Sequence, residues 1–138
     1  MTTATTGHKL ERMDDVYELF CRGTKLLEEG HNHQATIPLT RARDLAPDKT
    51  SIREALGRAL FHTQRYEQAA AEFEAVIERA PTNDYALFCL GRCLQLLGRH
   101  AEARKPLAQA AGMQPARRDY RVYRDRARAL AAARPDAS

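Results

Sequence analysis

No stretch of this sequence approaches the ~18 consecutive apolar residues that a membrane-spanning helix needs, so no membrane partner is expected. Residues 1–10 are polar and Thr-rich and lack the apolar centre of a secretory signal. Three cysteines are too few and odd in number for a disulfide framework, and a reducing cytoplasm is the expected setting. No Gly-rich phosphate loop is present, and no nucleophile, base and acid stand at a readable spacing. Catalysis therefore has no residues to carry it, and neither an enzyme activity nor a cofactor is expected. Charge of one sign is also missing over most of the chain. Residues 1–116 carry 15 Lys/Arg and 15 Asp/Glu. The net charge of +4 comes entirely from residues 117–138, where seven Arg face three Asp.

What the chain does have is an internal repeat. Glycine recurs at Gly23, Gly57 and Gly91, alanine at Ala35, Ala69 and Ala103, and proline at Pro47, Pro81 and Pro115, always 34 residues apart. Leu26, Leu60 and Leu94 follow the same spacing, as do Leu39, Phe73 and Leu107. Small residues at matched places on two antiparallel helices let the backbones approach. The large residues fill the space between helices and between repeats. Proline ends the second helix, because it lacks an N–H and disfavours helical geometry in the residue before it.

The pattern resembles the tetratricopeptide repeat family, a 34-residue helix–turn–helix, over about Val16 to Pro115. The resemblance implies an all-α, right-handed solenoid of three helix pairs with a seventh, capping helix. Arg22 stands where the later copies have Leu56 and Leu90, which makes the first repeat the least regular, as a terminal unit facing water would be. The family is defined by packing and hosts many partners, so the fold signal is stronger than the functional one.

The expected organisation is a disordered arm over 1–13, one domain over 14–133 and a frayed end over 134–138. Repeats should span about 16–49, 50–83 and 84–117, with the cap over about 117–133. Helices are expected near 14–29, up to Leu45, 49–62, 66–79, 84–97, 100–113 and 117–133. Pro38 and Pro106 hold matching slots inside two of them, and each removes one backbone hydrogen bond without breaking the architecture. In the last helix Tyr120, Tyr123, Ala127, Leu130 and Ala131 form the apolar stripe. The glycine column stops there, since Asp125 stands 34 beyond Gly91.

The resemblance further implies that the first helix of each repeat lines a concave face. Its inward residues are Tyr17, Phe20, Thr24 and Leu27, then Ser51, Glu54, Arg58 and Phe61, then Tyr85, Phe88, Arg92 and Gln95. Tyr, Phe and Arg are types enriched at binding hot spots, so this groove is the expected site for a protein or peptide partner. A well-known sub-class grips a C-terminal carboxylate with Lys, Asn and Arg. The matching slots here hold Phe20, Thr24, Ala55, Tyr85 and Cys89, none of them basic or an amide, which argues against that clamp. Two other surfaces carry alternatives. The arginine face of the last helix (Arg117, Arg118, Arg121, Arg124 and Arg128) admits nucleic acid or an acidic partner, although a charged outer face is also what a solenoid cap requires. Self-association into a homodimer is the third reading. Cys89 and Cys93 share a helix face with Cys21 in the repeat-equivalent slot. A structural zinc needs four ligands, so small, buried apolar cysteines are expected instead. The turn pair His31 and His33 is read as solvated, and no metal is expected.

Overall fold

A computed structural model describes the backbone of residues 2–133 and the side chains of residue 13 and of 15–133. Among these residues there are seven helices and no strand: α1 Thr2–Glu28, α2 Asn32–Leu45, α3 Thr50–His62, α4 Tyr66–Arg79, α5 Asp84–Leu96, α6 His100–Met113 and α7 Arg118–Ala133. Each helix packs chiefly on its neighbours in sequence, which makes three antiparallel pairs stacked in series and closed by α7. Helix boundaries fall within a residue or two of those expected, except at the start. There α1 begins at Thr2 and runs through the segment expected to be disordered. Extending a helix already held by packing costs far less than nucleating one, and no proline interrupts 2–13. The expected frayed end at 134–138 lies outside the described residues.

The repeat columns become contacts. An added Cβ on Gly57 would lie 2.8 Å from Phe73 Cζ, and on Gly23 or Gly91 it would lie 2.5 Å from Leu39 Cδ2 or Leu107 Cδ2. Glycine is thus required where each first helix crosses the large residue of its partner. Leu39, Phe73 and Leu107 are themselves completely buried, as are Ala35, Ala69 and Ala103. Pro38 and Pro106 are buried inside continuous helices. The same slot in the middle repeat holds Glu72, a buried carboxylate that bonds Arg43 at 2.8 Å and Arg53 at 3.1 Å and so ties α2, α3 and α4 together.

The turn inside each pair has one geometry. Gly30 and Gly98 take φ of 83° and 79°, and Gln64 takes φ of 64° at the corresponding place. The next residue closes each helix with a backbone bond six residues long: His31 N–H to Leu26 O, Arg65 N–H to Leu60 O and Arg99 N–H to Leu94 O, at 2.8, 2.9 and 2.9 Å. This is the left-handed helix stop that glycine adopts without steric cost. The middle repeat makes it with glutamine.

Candidate partner-binding groove

Helix α1 touches α3 and α5 touches α7, while no comparable contact joins the even-numbered helices among the described residues. The odd-numbered row is therefore the tighter, concave side of the stack. Two openings lie on it. A cavity of about 410 Å³ sits between α3 and α5 and is lined by Arg58, Phe61 and His62 from α3, Phe73 from α4, and Tyr85, Phe88, Cys89 and Arg92 from α5. Asp119 and Tyr123 of α7 complete the wall. A wider, more open cleft of about 560 Å³ lies at the first repeat, where Met13, Val16, Tyr17 and Phe20 of α1 face Ser51 and Ile52 of α3 across the Leu45–Lys49 turn. Tyr17 is 70% exposed and Met13 60%.

The inward residues expected from the sequence divide into three groups. Arg58, Phe61 and Tyr85 line the cavity and remain accessible, with Arg58 exposed at the surface. Tyr17, Phe20 and Ser51 line the first-repeat cleft. The others are engaged within the fold. Leu27 and Gln95 are buried. The Thr24 hydroxyl donates to Phe20 O at 3.0 Å within its own helix. Glu54 accepts from Asn83 Nδ2 at 3.3 Å across the repeat boundary.

Phe88, Arg92 and Gln95 have a role the sequence did not disclose. Tyr120 stacks on Phe88 with centroids 4.6 Å apart, and Tyr123 meets the same ring edge-on at 5.7 Å. Arg92 lies 3.9 Å over the Tyr123 ring and donates to Gln95 Oε1 at 2.8 Å. Gln95 Nε2 in turn donates to Tyr123 O at 3.0 Å. These residues dock α7 onto the last repeat. Phe88 and Arg92 border the cavity as well, so they serve both the cap and the groove. The fully buried Tyr120 also donates its hydroxyl to Asp84 Oδ2 at 2.8 Å and accepts from Arg117 at 3.2 Å. Burial, followed by that bond to Asp84, pushes the Tyr120 phenol above its ordinary value.

Groups that only the structure places at the cavity are His62, Phe73, Asp119 and Tyr123. The latter two come from α7, whose approach no repeat column specifies. Cys89, which also lines the cavity, and the buried Cys93 are driven by burial up to about 12, so both stay protonated and inert at neutral pH. Cys21 departs from expectation. It is exposed. No cluster of three or more His, Cys, Asp or Glu that could hold a metal occurs among the described residues. Nor is any described helix long and apolar enough to cross a membrane.

The arginine face of α7 is largely occupied by internal partners. Arg117 grips Asp119 at 2.7 and 3.1 Å, and that pairing holds the Asp119 carboxyl below its usual range. Arg124 pairs with Asp125 at 3.0 Å, Arg128 approaches the same carboxylate at 3.9 Å, and Arg121 donates to Pro115 O at 2.5 Å. Arg118 is exposed.

Stacked helix pairs with a concave, aromatic-lined row of first helices define an α-solenoid repeat domain. Its family follows from the sequence match: residues 22–84 and 55–119 both fit the tetratricopeptide repeat profile. The chain belongs to the tetratricopeptide repeat family. No curated protein matches it. Among solved structures it resembles MamA from MSR-1 at 27% identity, with a TM-score of 0.76 over 81% of this chain. It spans only 64% of that MamA chain. The first repeat domain of Spaghetti (RPAP3), bound to the HSP90 peptide SRMEEVD, superposes with a TM-score of 0.78 at 18% identity, over 86% of this chain and 94% of that one. The Yersinia enterocolitica type III secretion chaperone SycD, in complex with a peptide of the translocator YopD, gives 0.69 at 17% identity, over 87% and 92%. At such identities the last two establish the fold alone.

Proposed function

We propose that the chain is a non-catalytic interaction module that binds a peptide, or a segment of a partner protein, in its concave groove and without a carboxylate clamp. The observation that carries this reading is the 410 Å³ cavity, where accessible Phe61 and Tyr85 sit beside the unburied Arg58. Apolar surface left open and rimmed by polar groups marks a contact site more often than not, and these residue types dominate binding energies. The Spaghetti and SycD structures hold peptides on the same architecture, which supports a ligand of that class here. The clamp reading finds no support, because Thr24 is engaged with its own helix, Ala55 is buried and Cys89 is a protonated thiol. A cytoplasmic adaptor is the setting that fits best. The nucleic-acid alternative is the weaker one, since four of the five arginines assigned to it already have internal partners.

The test is affinity capture from nuclease-treated lysate at physiological salt, comparing the wild type with Arg58→Glu/Tyr85→Ala. Phe88 and Arg92 are left unchanged, because their substitution would also loosen α7. A protein retained by the wild type and lost by the variant supports the reading. Equal retention by both, with the variant still folded, contradicts it.

A further inference from the structure

A ligand of the groove is left unspecified by the interaction-module reading, and the charge pattern around the cavity specifies one for as long as that reading holds. The acids near the cavity are already engaged. Asp119 is held by both arms of the Arg117 fork and also accepts the Tyr120 N–H at 2.9 Å. Glu54 accepts from Asn83, and Asp84 accepts from the Tyr120 hydroxyl. The cations are in the opposite condition. Arg58 is exposed and makes no ion pair with a described residue. Arg92 meets only the neutral Gln95 amide and the Tyr123 ring. Arg126 is exposed, lies 4.9 Å over that same ring and has no carboxylate partner among the described residues. Burial, with the like charge of Arg126 adding to it, pulls the Arg92 guanidinium below its ordinary value, as expected of a cation short of a counter-charge. Each guanidinium offers five N–H donors in a planar fork suited to carboxylates.

We infer that the cavity takes an internal acidic–apolar peptide segment, an inference that rests on the groove being the binding site. An aromatic or branched aliphatic side chain enters against Phe61 and Tyr85, while carboxylates beside it meet Arg58 from α3 and Arg92 from α5, which line the cavity, and Arg126 of α7, which lies over the Tyr123 ring of its wall. The cations lie on three different helices, so they suit carboxylates spread along a segment rather than one terminal group. A basic segment would be repelled by the same groups. The cap thus contributes Tyr123 and Arg126 to recognition as well as closing the stack.

The experiment is selection from a random dodecapeptide library, blocked at both ends, on the full chain. Counter-selection uses Arg58→Glu/Arg126→Glu, whose side chains are exposed and whose fold is checked by circular dichroism. The expected winners carry an apolar residue with Asp or Glu on both sides, bind at least about tenfold more weakly to the double variant, and lose affinity as salt rises. Neutral or basic winners that are lost on Tyr85→Ala overturn the acidic specificity and leave the groove reading standing. Winners indifferent to both variants, or no winners at all, overturn both.

Discussion

Replacing Gly57 by alanine tests the central packing column directly. The new Cβ would lie 2.8 Å from Phe73 Cζ, 2.9 Å from Cε2 and 3.1 Å from Cε1, whereas carbon atoms rest about 3.5–4.0 Å apart. The Phe73 ring is completely buried, so it has to shift bodily by several tenths of an ångström. Overpacking of this kind costs about 1–3 kcal/mol. Against it stands the helical gain of alanine over glycine, about 1 kcal/mol. The net expectation is a loss of up to about 2 kcal/mol, which lowers Tm by up to roughly 10 °C for a domain of this size. Gly112 is the control, because nothing lies within 4 Å of its added Cβ. There the same substitution keeps only the gain and should raise stability by up to about 1 kcal/mol. Urea and thermal unfolding followed by far-UV circular dichroism measure both. A Gly57→Ala protein stabilised as much as Gly112→Ala would refute the close-approach reasoning. Phe73 also lines the cavity, so a ring displaced toward it should weaken ligand binding as well.

Gln64→Gly, which relieves the single described non-glycine residue at positive φ, is expected to stabilise by about 0.5–1 kcal/mol in the same unfolding assay. Glu72→Ala removes the carboxylate that bridges Arg43 and Arg53, leaving Arg43 its pair with Asp44 and Arg53 its bond to Pro47 O. It should cost about 1–3 kcal/mol, and a cost near zero would show the tie to be idle. Ellman's reagent should label exposed Cys21 rapidly, half-buried Cys89 slowly and buried Cys93 only on unfolding. The same two thiols set a pH dependence. Their folded pKa of about 12 exceeds the unfolded value of ~8.5. Their contribution is therefore complete below ~8.5 and is lost as pH rises toward 12, by up to about 1.4 kcal/mol per pH unit for each thiol. Cys93→Ala should flatten that slope, and an unchanged slope would contradict the assignment.

Much of the fold was legible because a repeat states its packing three times. Gly23, Gly57 and Gly91 meet Leu39, Phe73 and Leu107, which are the small and large columns read from the 34-residue spacing. Helix ends were legible for a similar reason, with Gly30 and Gly98 as stops. Gln64 shows the limit. Its place in the register matched those glycines, yet glutamine carries no local preference for a left-handed turn, and only the surrounding structure imposes one. The Glu72 ion pairs were hidden likewise, since the slot reads Pro38 and Pro106 on either side and its arginines come from α2 and α3.

At the groove, Arg58, Phe61 and Tyr85 were recoverable from family register because they sit in the regular central repeats. Phe88 and Arg92 border the same cavity, but their second role was not visible. That role depends on where α7 lands, and α7 follows none of the columns. Exposure of Cys21 was missed for the opposite reason. It shares a slot with half-buried Cys89, but the slot is covered in the third repeat and open in the first.

Ligand entry into the cavity between α3 and α5 underlies both the proposed function and the acidic specificity. The most direct measurement is a titration of a selected peptide into isotope-labelled protein, following backbone amide and arginine side-chain resonances by NMR. The largest shifts are expected at Arg58, Phe61, Tyr85 and Cys89, with the Arg92 and Arg126 guanidinium signals moving at the same peptide concentration. Shifts confined to α2, α4 and α6, with those residues unmoved, would contradict it.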